Sequence, residues 1–197
     1  MSLSNQELKQ YSDDHIAYEI EMINETAVVV STLSGYDEQY LTSHPGERIK
    51  LNAFIESFLI HARNILDFLY KYPMKDDIAA QHYLKGWKAP GMSPNICFYY
   101  ASQGNKSSKI NKHLAHLTET RMTKGRSTKG WPVQILQKEI NEVLLDFYTQ
   151  VPITNIGTKL QKMRAQAIKC AGDSVPILKP PQGSAPIVSN ATKTSAP

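Results

Sequence analysis

The segment from Ser57 to Tyr70, SFLIHARNILDFLY, is apolar enough to lie in a protein core, yet it holds His61, Arg63, Asn64 and Asp67 within seven residues. These types suit phosphate chemistry. A guanidinium grips an anion with its planar fork, an imidazole moves a proton near neutral pH, and a carboxylate or amide orients either one. A second cluster follows in INKHLAHLTETR, where Asn111, Lys112, His113, His116, Thr118 and Arg121 fall within eleven residues. The chemistry in view is a phosphate held by Arg63 and a proton moved by a histidine near neutral pH.

A helical wheel through the first cluster puts Phe54, Ile55, Phe58, Leu59, Ala62, Ile65, Leu66 and Leu69 on one broad apolar arc, widened by Phe68. Arg63 and Asp67 stand four apart on one edge of the arc. Ser57, His61 and Asn64 form a polar line on the other, with Ile60 between the two lines. Two readings follow. In one, Arg63 and Asp67 form a buried intrahelical pair, and His61 and Asn64 bond to a neighbouring helix. In the other, Arg63 faces a cleft that it shares with a histidine. On the second wheel Ile110, Leu114 and Leu117 make an apolar stripe; His113 borders it and His116 lies further round. The wheel alone favours His113 as the pocket residue.

The elements that must place these groups read as helices. The first is expected from about Ser4 to Leu33, since Ile16, Ile20, Ile23, Ala27 and Val30 recur at three- and four-residue steps. Residues 36–46 read as a connector. The second helix is expected over Glu47 to Tyr72, stopped by Pro73, with a short helix near Asp76 to Gly86. The loop WKAPGMSP follows. Asn95 to Ser102 reads equally as helix or strand. Further helices are expected over Ser107 to Thr120, from Pro132 to about Gln150, and over Asn155 to Ala171. The fold class is therefore all-α: a bundle of four main helices with short additional ones. Residues 1–152 form the bundle domain, 153–171 a basic C-terminal helix, and 172–197 a disordered tail rich in Ser, Pro, Thr and Lys.

Charge is uneven. Residues 1–56 carry a net −7, whereas residues 102–131 carry a net +6 through Lys106, Lys109, Lys112, Arg121, Lys124, Arg126 and Lys129 against Glu119. That stretch fits either phosphate contacts or a solvated helix face. Tyr99, Tyr100 and Trp131 are candidate platforms for base stacking. The two cysteines, Cys97 and Cys170, lack metal-ligand spacing, and no Asp, Glu or Cys adjoins His113 and His116. No metal and no cofactor is expected. The chain contains no phosphate-binding P-loop, dinucleotide glycine fingerprint, nucleophile elbow or H-E-x-x-H. The opening MSLSNQELKQYSDDH lacks the features of a secretion signal, and no run is apolar enough to span a membrane, so a soluble cytoplasmic protein is expected.

The segments ESFLIHARNILDFLY, NKHLAHLTETR and WPVQILQKEINEVLLDFYTQVP resemble, in that order, a widespread all-helical bacterial family with H-A-R-N and N-K-x-x-A-H-L-T segments. The likeness covers about residues 50–152 and implies no particular activity. It draws attention to His61, Arg63, Asn64, Asp67, Asn111, His116 and Thr118, and favours His116 over His113. A more distant resemblance is to HEPN helical bundles, which often dimerise and in many cases cleave RNA without metal. Their motif is an Arg, usually followed by a polar residue, with a His five to seven residues later. Arg63-Asn64 matches the first half; Phe68, Leu69 and Tyr70 stand where the His would be. The resemblance thus implies an RNA-associated protein, either a ribonuclease with His116 supplied from another helix or an inactive relative. The competing expectation is a noncatalytic dimerisation or protein-interaction module whose polar core residues set helix register.

Overall fold

A computed structural model describes residues 3–74, 76–101, 110 and 131–173. Among these the secondary structure is entirely helical. Helix α1 (Asn5–Tyr11) runs through a π-helical turn (Ser12–Ile16) into α2 (Ala17–Leu33), so one rod replaces the single regular helix expected there. The rod starts at a capping box. The Glu7 amide donates to Ser4 Oγ at 3.3 Å, and the Ser4 amide donates to Glu7 Oε2 at 2.7 Å. The β-branched TAVVVST run stays helical because Ala27 and Val30 are buried on the stripe set by Ile16, Ile20 and Ile23. Thr26, also buried, returns its hydroxyl to the Met22 carbonyl.

Residues 36–46 hold a helix where a plain connector was expected: α3 (Glu38–Ser43). Asp37 caps it by accepting the Tyr40 amide at 2.6 Å. Tyr36, Tyr40 and His44 then stack one turn apart, at 4.4 and 4.0 Å between ring centroids. Arg48 closes the corner on Glu38 at 2.8 Å. Pro45 opens the long helix α4 (Pro45–Tyr70), in the position where a missing amide proton costs nothing. The short helix expected near Asp76 to Gly86 shrinks to α5 (Ala80–Tyr83). Gly86, at φ 83°, makes the left-handed turn after it. The ambiguous segment resolves as a helix, α6 (Pro94–Tyr99), capped by Ser93. Helices α7 (Val133–Gln150) and α8 (Thr158–Asp173) complete the described chain. Helix α8 lies where a basic C-terminal helix was expected over 155–171, and it continues through Gly172 and Asp173, where the tail was expected to begin; the rest of the 172–197 tail and the expected third helix, apart from Ile110, lie outside the described residues.

The α2–α4 pairing is the most extensive in the fold, and α7 packs across both. The apolar arc foreseen on α4 is the buried one: Phe58, Leu59, Ala62, Ile65, Leu66, Phe68 and Leu69 are all buried. Phe147 of α7 is an aromatic hub, edge-on to Phe68 at 5.5 Å and to Trp87 at 5.4 Å. Trp87 anchors the loop after α5 by donating its indole N–H to the Leu69 carbonyl at 2.9 Å. Ile110, in helical geometry, is buried in the same core. No described helix is long and apolar enough to cross a membrane.

Burial pushes the phenols of Tyr83, Tyr100 and Tyr148 well above their ordinary value of 10.0. The raised folded-state values fix the sign of the pH effect. Stability is fully present below pH 10.0 and falls as the unfolded phenols ionise above it, because the native chain then holds more protons. Thermal melts should therefore drop steeply beyond that point. Among the described residues the buried Tyr148 hydroxyl has no hydrogen-bond partner. Tyr148→Phe should accordingly be neutral or stabilising by about 1 kcal/mol at pH 7, and should blunt the alkaline loss. A destabilised Tyr148→Phe in urea unfolding would contradict this account of the core.

Candidate functional site

The C-terminal half of α4 forms the floor of an open cleft of about 480 Å³. Asn64, Asp67, Phe68 and Lys71 line that floor with Arg63. Tyr11, His15 and Glu19 rise from the π turn and its flanking helices, and Asp76 and Asp77 come from the loop after α4. Asp67 organises one side. Its Oδ1 accepts the Tyr100 hydroxyl at 2.6 Å, and its Oδ2 meets Lys71 Nζ at 2.7 Å and Arg63 Nε at 3.8 Å. Lys71 and Arg63 sit one turn to either side of Asp67, so the three make a ladder along α4. Burial raises the Tyr100 phenol, and its hydrogen bond to the Asp67 carboxylate raises it further.

The expected Arg63–Asp67 pair is thus present but not buried: the Arg63 side chain is 42% exposed. Its contact with Asp67 is through Nε, and the terminal nitrogens carry no hydrogen bond among the described residues. Asp67 thus meets the Nε side of a guanidinium that lines the cleft. Tyr11, at the opposite wall, has its phenol raised by burial and by the nearby Glu19 and Asp77 charges.

The other polar line is committed elsewhere. His61 Nδ1 lies 2.7 Å from Glu19 Oε2, and the same oxygen accepts from Asn64 Nδ2 at 3.2 Å. The His61 and Glu19 side chains are only 13% and 22% exposed. Tyr18 packs edge-on against the His61 ring at 5.5 Å. His61 and Asn64 therefore do bond to a neighbouring helix, and that helix is α2. Tyr100 corrects a further expectation. It was a candidate base-stacking platform, but it is buried and its hydroxyl is spent on Asp67. Tyr99 and Trp131 lie 5.2 Å apart, ring against ring, at the margin of the core.

Of the residues singled out by sequence, the structure brings Arg63, Asn64 and Asp67 together and sets His61 behind them. Asn111, Lys112, His113, His116, Thr118 and Arg121, with the basic stretch 106–129, lie outside the described residues. Sequence reasoning missed His15 and Glu19, the imidazole and carboxylate that α1, the π turn and α2 send into the cleft. The SDDH run was a signal of sorts, being four polar residues inside an apolar periodicity. No group of three His, Cys, Asp or Glu among the described residues could hold a metal ion.

Glu19→Ala leaves the half-buried His61 ring without its partner, while the exposed Asn64 amide turns to water, and it should cost about 1 kcal/mol of unfolding free energy. His61→Ala should cost a similar amount, and the pair should couple by about 1 kcal/mol in a double-mutant cycle followed by urea denaturation. Strict additivity would mean that the Glu19–His61 contact contributes nothing. The chain as a whole matches no protein-family model, no curated protein and no solved structure.

Proposed function

We propose that the cleft above Arg63 is the working site and that the chain is an RNA-associated, HEPN-like helical-bundle protein. The observation that carries this reading is the Arg63 guanidinium: half exposed, met by Asp67 at Nε, and without a hydrogen bond at its terminal nitrogens among the described residues. A fork held from behind in this way suits a phosphate oxygen pair. Asn64 stands beside it at the cleft floor, and His15 is an imidazole lining the same space. In a metal-independent cleavage, a histidine would take the ribose 2′-hydroxyl proton as that oxygen bonds to phosphorus, Arg63 would steady charge on the phosphorane, and the P–O5′ bond would break with the leaving oxygen protonated by the imidazolium or by water, giving a 2′,3′-cyclic phosphate and a 5′-hydroxyl. His15 is a candidate for that role beside His116. His61 is not, because Glu19 holds it between helices.

The cleft's own charge limits what it takes. Glu19, Asp67, Asp76 and Asp77 outnumber Arg63 and Lys71. This net negative lining opposes a track of phosphates, so a phosphate bound here would rest on the Arg63 guanidinium alone. Contacts along a strand would fall to the basic stretch 106–129. The same acidic lining, with the Glu19 clamp on His61 and Asn64, favours a second reading: a noncatalytic interaction module in which the polar lines set helix register.

Labelled single-stranded RNA, followed by fluorescence anisotropy at several salt concentrations, separates the two. Arg63→Ala should weaken binding about tenfold, roughly 1.4 kcal/mol. It should leave stability within about 0.5 kcal/mol, since an exposed pair at this separation contributes little. Cleavage in EDTA that is lost in folded Arg63→Ala and in His15→Ala or His116→Ala would make the protein a nuclease. Failure of the wild type to bind RNA would discard the RNA reading in favour of the interaction module.

A further inference from the structure

The π turn is an irregularity with identifiable supports. The Ala17 amide reaches back five residues to the Ser12 carbonyl, the signature of one residue too many in the turn. Ser12 is fully buried. Its hydroxyl donates to the Lys9 carbonyl at 2.7 Å and accepts the Gly157 amide at 2.8 Å, so it links the turn to the start of α8. Asp13 completes the link by accepting the Leu160 amide on Oδ1 at 3.0 Å, an N-terminal cap supplied by a residue 147 positions away. The fit leaves no spare room. Gly157 is buried, and a Cβ there would overlap the Asp13 carboxyl.

Two anchors explain why a surplus residue is kept. Upstream, the Tyr83 hydroxyl holds the Leu8 carbonyl at 2.9 Å, and Tyr83 is itself held through its own carbonyl by Asn155 at 2.7 Å. Downstream, Ile16, Ala17 and Ile20 are buried in the core against α4. Regular α geometry across residues 12–16 would turn one anchored half against the other by about 100°. It would carry Tyr11 and His15 out of alignment with Glu19 and the cleft floor. The cleft wall is therefore set from the far end of the chain.

We propose that α8 is a docking element whose N-terminus holds the π turn open, with Ser12 and Asp13 as positioning residues that set His15 in the cleft. Undocking of α8 then relaxes the turn and dismantles the wall, which makes the cleft responsive to whatever binds or releases the C-terminal helix. The proposal stands apart from the identity of the ligand, because its consequence is conformational.

The test uses the full chain without ligand. Through-hydrogen-bond couplings in deuterated protein identify the acceptor of the Ala17 amide, and a proton–carbon spectrum follows the His15 imidazole, assigned with His15→Gln. In the wild type the acceptor is the Ser12 carbonyl. In Gly157→Ala, Asp13→Ala and Ser12→Ala the acceptor should move to the Asp13 carbonyl and the His15 resonance should shift. Lys159→Ala, which removes the exposed pair between α8 and Glu21 of α2, should change neither. Asp13→Ala and Ser12→Ala add no atoms, so they carry the test if Gly157→Ala fails to fold. An unchanged acceptor and an unmoved His15 in these folded variants would overturn the proposal, since a merely stabilising role for α8 predicts that result.

Discussion

The Glu19 carboxylate, held between α2 and α4, is the contact on which the rest of the site depends. One oxygen meets His61 Nδ1 and accepts from Asn64 Nδ2, so a single acid ties the half-buried ring and the exposed amide of α4 to α2. Without it the His61 ring would have given up water with nothing in return. The clamp also fixes how α4 is turned relative to the first rod. That rotation places Asp67 and Arg63 at the rim and leaves Phe58, Ile65 and Leu66 inside.

Asp67 plays the matching part on the other side of the helix. It gathers a phenol, an ammonium and a guanidinium, and it uses the shorter contacts on Tyr100 and Lys71. Arg63 is steadied without being consumed. The two carboxylates thus do opposite things to the groups near them: Glu19 ties His61 between helices, and Asp67 meets Arg63 at the cleft rim. An acid-rich cleft with one guanidinium among its described lining residues follows from that division.

Much of the architecture was legible from apolar spacing. The buried arc of α4, the stripe of the first helix and the run from Val133 to Gln150 all follow from hydrophobic period and proline punctuation. Helix α3 was not, because its stability comes from an aromatic ladder and an Asp37 cap, and six residues are too few for a period to show. The π turn was hidden for a different reason. Its one surplus residue is supported by Gly157 and Leu160, and nothing within SDDH indicates that they will be there.

The sequence by itself determined that Arg63 and Asp67 share an edge of α4 and that His61 and Asn64 share another, because helical spacing decides which side chains align. Only the tertiary structure decided what those edges meet. Glu19 lies 42 residues before His61, and Tyr100 lies 33 after Asp67. Periodicity reports that a face is covered and is silent about which groups cover it. The choice between a buried ion pair and an open arginine turned on that covering. Tyr100 and Lys71 take the Asp67 oxygens at close range, and so the guanidinium of Arg63 remains turned to the cleft.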